Sequence, residues 1–182
     1  MPRIHMVRHG HAAAGFDNAD PPLDSVGREQ AEAVARTLAP LGARAILTSP
    51  LARARETAAP LARLWAREPL VEPRVAEIPT PDGLSLSARV PWLRSFMAGS
   101  WNAADPALTE WRKRVIAMLT GISSDTVIFS HFIAINVGAG QAEGDDRVVV
   151  FAPDNCSVTV FETDGKALKL VERGREAATR VV

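Results

Sequence analysis

Residues 4–11 read IHMVRHGH. Ile4 to Val7 is a short apolar run of strand type. It breaks at Arg8-His9-Gly10-His11, and a loop rich in Gly, Ala, Asp and Pro follows as far as Pro22. The same arrangement recurs twice further on. Ala45 to Thr48 reads as a strand ending in Ser49-Pro50, with Arg53 on the first turn of the helix beyond. Thr126 to Ser130, TVIFS, is apolar enough to be buried on both faces and ends at His131. Glu77 lies near the end of an extended segment, Val71 to Ile78, where Pro73 predicts an edge or irregular strand.

The stretches between these strands read as helices. Asp24 is a good N-cap for a helix with apolar positions Val26, Ala33, Val34 and Leu38, closed by Pro40 and Gly42. Leu51 to Arg67, Leu84 to Met97, Leu108 to Leu119 and residues 132–141 read as further helices, with Pro60 as a kink in the first of these. Val137 to Gly140 reads as the chemistry of a helix end. Val148 to Phe151, Ser157 to Glu162 and Ala167 to Val171 read as strands, the last two joined by an Asp164-Gly165 hairpin turn. Strands alternating with helices predict a layered α/β fold with a mostly parallel sheet, and such folds place ligand sites at the carboxyl ends of strands.

Composition narrows the function. At 182 residues the chain is one domain's length, 1–182, with a cap-like insertion at about 79–106 that carries Trp92, Phe96 and Trp101 as packing residues. Lys plus Arg and Asp plus Glu both total 21, which argues against a basic coat for nucleic acid. Tyr is absent, so stacking platforms for single strands are missing too. Cys156 is the only cysteine and has no internal partner. No leader-type segment and no run near the ~20 apolar residues of a membrane span is present. The expectation is a cytoplasmic protein with no membrane or nucleic-acid partner.

Two arginines, two histidines and a carboxylate at strand ends have one chemical logic. Arg8 and Arg53 offer planar, permanently charged forks that match a phosphoryl group. Cationic surroundings keep an imidazole neutral, so His9 is the expected nucleophile, forming a phosphohistidine. His131 would stabilise transition-state charge, and Glu77 would protonate the leaving oxygen and then deprotonate water. With arginines supplying the positive charge, no metal or other cofactor is called for. A rival reading places zinc on His5, His9 and His11, which alternate along one face if the strand continues. Gly10 breaks that strand. A cysteine phosphatase would want Arg six positions after Cys156, where Glu162 stands.

VRHGHA, SPLARARETA, the Glu77 segment and SHF, in this order and rough spacing over nearly the whole chain, resemble the histidine phosphatase superfamily, which includes the phosphoglycerate mutases. LDSVGREQAEAVARTL resembles that family's first helix, with Gly27 and Gln30-Ala31 at its characteristic positions. The resemblance implies a three-layer α/β/α sandwich of phosphoglycerate mutase type. It implies a phosphate pocket of Arg8, His9, Arg53 and His131, with Glu77 as proton donor and His11, Asn18, Phe132 and Asn155 on the rim. It implies a phosphoric monoester hydrolase of histidine acid type, acting on a small phosphorylated substrate or a phosphoprotein and releasing inorganic phosphate.

The departures point away from a mutase. Gly15 stands where the mutase branch has Asn, with Asn18 as a substitute. IPTPDG replaces an aromatic-glycine loop, Phe132 replaces a common Gly, and Asn136 replaces a frequent Arg. Glu72 and Asp82 are the other acids within range. Two alternatives accompany the phosphomonoesterase. One is a phosphohistidine phosphatase of the small bacterial type, which lacks the central acid. The other is a catalytically weak module that binds phosphoryl ligands.

Overall fold

The computed structural model describes residues 1–13 and 18–178. Six strands form one sheet: β1 (Arg3–Arg8), β2 (Ala45–Thr48), β3 (Leu70–Val71), β4 (Thr126–Ser130), β5 (Val158–Thr163) and β6 (Leu168–Glu172). Their order is β3-β2-β4-β1-β5-β6. β3, β2, β4 and β1 run parallel, β5 is antiparallel to β1, and β6 is antiparallel to β5. Among the described residues the α-helices are α1 (Ser25–Leu38), α2 (Ala52–Trp65), α3 (Leu86–Met97), α4 (Pro106–Thr120) and α5 (Phe132–Glu143). Among the described residues no helix is long and apolar enough to cross a membrane.

The period of two along the central strands divides the interior into two cores. Ile4, Met6 and Ile128 face α4 and α5, where they meet Val115, Leu119, Ile133 and Val137. Val7, Val127, Phe129 and Ile46 face α1 and α2, where they meet Val34, Leu38, Ala58 and Leu61. Helices thus cover both faces of the sheet, and TVIFS is buried along its whole length as its composition predicts. Burying each large side chain here, Phe129 and Phe161 included, stabilises the fold by roughly 1.5–3 kcal/mol.

α1 starts where Asp24 Oδ1 accepts from Gly27 N at 2.8 Å. Its buried face is Gly27, Ala31, Val34, Ala35 and Leu38. Val26 and Ala33, counted in the sequence among the apolar positions, are exposed because each lies one residue off that stripe. Gly27 packs its backbone directly on the loop after β1. A Cβ there would stand 2.0 Å from His11 O, and one on Gly10 would stand 2.6 Å from Gly27 O.

Three segments differ from the sequence expectation. Of the extended stretch only Val71 pairs in the sheet, in a strand that begins at Leu70, and Pro73–Val75 is a 3-10 turn, since Pro73 has no N–H for a ladder. Val148 to Phe151 is not a strand. Asn136 Oδ1, inside α5, accepts from Val150 N at 2.7 Å and Phe151 N at 3.1 Å, and Val148 N bonds to Gly99 O at 3.1 Å. These donors are satisfied by a side chain and a loop, and a short buried apolar run looks the same by composition. Val137 to Gly140 lies within α5, which ends at Gly144 in the left-handed region, φ 67°. Gly138 is there for the Phe161 ring, which would stand 3.0 Å from its Cβ.

Candidate active site

Parallel β1, β4 and β2 end side by side, so Arg8-His9, His131 and Ser49-Arg53 converge. The backbone of Arg8, His9 and Gly10 is held from four directions. His9 N donates to Ser130 O at 3.0 Å, Cys156 N donates to Arg8 O at 2.9 Å, and Asn155 Nδ2 donates to His9 O at 2.9 Å. Gly10 N donates to Thr57 Oγ1 at 3.0 Å, and Thr57 in turn donates to Arg53 O at 2.6 Å.

His9 Nδ1 lies 2.7 Å from Gly10 O. A carbonyl only accepts, so Nδ1 carries the proton and Nε2 presents a lone pair. Arg53 Nε points at that lone pair from 3.2 Å. Burial, followed by the charge of Arg53, pushes the His9 pKa down to about 3. The His131 ring stands 5.1 Å from that of His9, centre to centre. Its Nε2 shares a 2.7 Å hydrogen bond with Ser49 Oγ, and burial with the neighbouring cations holds it neutral. Arg8 is buried, with Nη1 donating to Pro153 O at 2.9 Å and its guanidinium 5.2 Å over the Phe132 ring. Arg8 Nε and His131 Nδ1 make no hydrogen bond with the described residues.

Glu77 reaches the same place from the segment after the 3-10 turn, which Ser130 Oγ fastens by a 2.7 Å bond to Val75 O. Its Oε1 accepts from Ile78 N at 3.0 Å and from Ile133 N, at the start of α5, at 3.2 Å. Desolvation still outweighs these donors and the nearby arginines, and raises the carboxyl pKa above its ordinary value. A small cavity of about 150 Å³ lies on Arg8, His9 and Glu77, walled by Leu93, Met97 and Phe132. A larger cleft of about 430 Å³ opens beside it, on Arg53, Glu77, Asn18, Thr80 and Arg89. Glu77 and Val90 border both.

The other residues singled out in the sequence take separate positions. Phe132 supports Arg8, and Asn155 holds the His9 carbonyl. Asn18 lines the cleft and accepts from Asp20 N at 2.9 Å. His11 borders neither cavity, because its ring pairs with Asp24. Gly15 lies outside the described residues. Glu72 turns to Arg74, with oxygens 2.8 and 2.7 Å from its guanidinium, and Asp82 is exposed. His5, His9 and His11 do not converge, and among the described residues no cluster of three His, Cys, Asp or Glu could hold a metal ion.

Sequence reasoning missed Asp20, Thr57 and Arg89, and gave Ser49 only a turn. Both Asp20 oxygens accept from Ala52 N, at 2.9 and 3.1 Å, and one stands 3.7 Å from Arg53 Nη1. This carboxylate caps α2 from 32 residues away, beyond the reach of a local capping signal. Thr57 stands one helical turn after Arg53, a spacing that could have placed it.

Residues 4–176 match the histidine phosphatase superfamily, branch 1. An uncharacterised protein of Picosynechococcus sp. is 37% identical over 133 residues, 65% of this chain and 75% of that one. A PE-PGRS family protein of Mycobacterium tuberculosis is 44% identical over 82 residues, and the aligned part spans only 14% of its length. Among solved structures, mycobacterial glucosyl-3-phosphoglycerate phosphatase with VO3 superposes with a TM-score of 0.75 at 19% identity, over 98% of this chain and 100% of that chain. Phosphoserine phosphatase from Entamoeba histolytica, with 3-phosphoglyceric acid, gives 0.75 at 20% identity, over 96% and 98%. These two likenesses show the shared fold, and the match over residues 4–176 shows the family: the chain belongs to branch 1 of the histidine phosphatase superfamily.

Proposed function

We propose that the protein is a phosphomonoesterase that works through a phosphohistidine on His9, needs no metal ion, and acts on a small phosphorylated molecule. The observation that carries this reading is the state of His9: Nδ1 donates to Gly10 O, and Nε2 is an unprotonated lone pair among arginines. Phosphate approaching Arg53 draws that guanidinium onto its oxygens and frees the lone pair. Nε2 attacks phosphorus while the bond to the ester oxygen breaks, and that oxygen takes the proton of Glu77. Glu77, now a carboxylate, removes a proton from water, and the hydroxide attacks phosphorus. The P–N bond breaks, inorganic phosphate leaves, and His9 is regenerated.

Arg8 and Arg53 neutralise the equatorial oxygens throughout. Arg8 Nε and His131 Nδ1, without partners among the described residues, suit the same oxygens. The position of Glu77 favours an ester over a phosphohistidine substrate, since it borders both cavities and burial holds its proton. The presence of all four pocket residues favours catalysis over a binding module. The names of the two phosphatase structures support a small phosphorylated substrate.

The test is hydrolysis of p-nitrophenyl phosphate with a chelator present, comparing wild type with His9→Ala. Chelator-resistant turnover that vanishes in a variant with unchanged circular dichroism is the expected result. Turnover that persists in His9→Ala overturns the nucleophile, and turnover lost to chelator overturns metal independence.

A further inference from the structure

His131 is fully buried, with its ring centre 5.1 Å from that of His9. Its Nε2 shares a 2.7 Å hydrogen bond with Ser49 Oγ, while Nδ1 has no partner among the described residues. Burial and the surrounding cations keep the ring neutral, so one nitrogen carries a proton and the other a lone pair. The partner of Nε2 decides which is which. Ser49 follows β2 and is itself fully buried. Pro50 has no N–H, so the first free donor beyond Ser49 is Leu51 N, which donates to Ser49 Oγ at 3.2 Å. A hydroxyl has one hydrogen to give and two lone pairs to offer. Leu51 N fills one lone pair. Among the described residues the hydroxyl hydrogen then meets one acceptor, His131 Nε2. The reverse arrangement, with Nε2 donating, would leave two buried groups unpaired: the Ser49 hydroxyl hydrogen and a bare lone pair on Nδ1.

Resting on the phosphatase reading, we infer that Ser49 is a positioning residue for phosphoryl transfer: its hydroxyl donates to His131 Nε2, keeps the proton on Nδ1, and so makes His131 a neutral donor to a phosphoryl oxygen. The two pocket histidines then share one tautomer and use it in opposite ways. In His9 the Nδ1 proton goes to Gly10 O, and Nε2 offers its lone pair to phosphorus. In His131 the lone pair goes to Ser49, and the proton is left for oxygen. The other tautomer of His131 would aim a lone pair at an anion. A carboxylate in the place of Ser49 could only accept, and would draw the proton to Nε2. A hydroxyl does the reverse and adds no negative charge to a pocket that receives phosphate. Ser49 acts through His131 and has no contact of its own with the reacting atoms.

The experiment reads the imidazole nitrogens by nitrogen-15 NMR. The chain has four histidines, and His131→Gln identifies the signals of His131. At pH 7.5 wild type is expected to show His131 protonated on Nδ1. A wild-type ring protonated on Nε2 overturns the assignment, and that measurement needs no variant of Ser49. In Ser49→Ala the proton is expected to leave Nδ1 for Nε2 or to divide between them. With circular dichroism unchanged, kcat for p-nitrophenyl phosphate is expected to fall roughly tenfold or more. Ser49→Thr, which keeps the hydroxyl, is expected to restore the tautomer and most of kcat. An unchanged kcat in Ser49→Ala overturns the role. A kcat that falls while the proton stays on Nδ1 overturns it too, and assigns Ser49 to holding Leu51 and Arg53. A wild type inactive on p-nitrophenyl phosphate sinks the phosphatase reading instead. The tautomer in wild type and Ser49→Ala, read beside their affinities for orthovanadate, then decides the role of Ser49.

Discussion

Glu77 and His9 share one pocket, and burial pushes their proton affinities apart. Desolvation disfavours whichever form is charged, so the carboxyl keeps its proton above its ordinary 4.5 while the imidazole loses its own down to about 3. Between these limits the nucleophile is free and the acid is loaded, which is the protonation state the proposed reaction uses. The expected pH profile of kcat therefore has its descending limb on the alkaline side, where Glu77 ionises. Glu77→Gln should flatten that limb. It should also slow an alkyl phosphate by 10²- to 10⁴-fold, roughly the worth of a general acid, and p-nitrophenyl phosphate far less. Equal slowing of the two esters, or a limb that survives the substitution, removes Glu77 from the acid role. At this scale the sequence was legible where a residue sits at its own strand end: the placement of Arg8, His9 and His131 follows straight from IHMVRHGH and TVIFSH. It was silent where two residues act across space. Nothing local to Asp20 announces Ala52 N or Arg53, and Arg89 looks like any surface arginine of a helix.

Among the elements, α1 shows how close backbones set the position of the nucleophile loop. Gly27 has an ordinary helical conformation, so its role is space rather than freedom of φ. Gly27→Ala would drive a methyl group to 2.0 Å from His11 O, and backbone cannot yield there without moving Gly10 and His9. The expected cost is about 2–3 kcal/mol, a lowering of Tm by roughly 5–10 °C for a chain of this size, with a loss of turnover from the displaced loop. Thermal unfolding checks it, and an unaltered Tm would refute the contact's importance. The sequence revealed α1 well because Asp24 caps it and its buried stripe has helical spacing. It misplaced Val148 to Phe151 because the partner is Asn136, a side chain 14 and 15 residues away, and composition carries no sign of that.

The molecule as a whole carries three imidazoles whose pKa burial lowers: His5, His9 and His131. The unfolded chain binds a proton on each as pH falls through 6.5, and the folded chain binds it only at lower pH. Stability is thus full above that value and lost below it. Glu77, whose proton affinity rises on folding, acts in the opposite sense. Urea unfolding at pH 7.5 and pH 5 is expected to show a lower midpoint at the acid pH, with a smaller loss in His9→Ala. Identical midpoints would contradict the depressed imidazoles. The layered α/β plan was legible from the alternation of strands and helices. The reversal of β5 was not, since an antiparallel strand beside a parallel one has the same composition.

That reversal brings Asn155 and Cys156 from the far end of the chain to the carbonyls of His9 and Arg8, through bonds of 2.9 Å each. On the proposed reading, a ribosome has therefore released Arg8, His9, Arg53, Glu77 and His131 before Asn155 and Cys156, two of the residues that brace the loop after β1, have emerged. Synthesis proceeds past a stage at which the chemistry is complete in composition but not in geometry. A nascent chain halted before Asn155 would hold the reactive groups without the frame that aims them, and activity would arrive with the closing of the sheet.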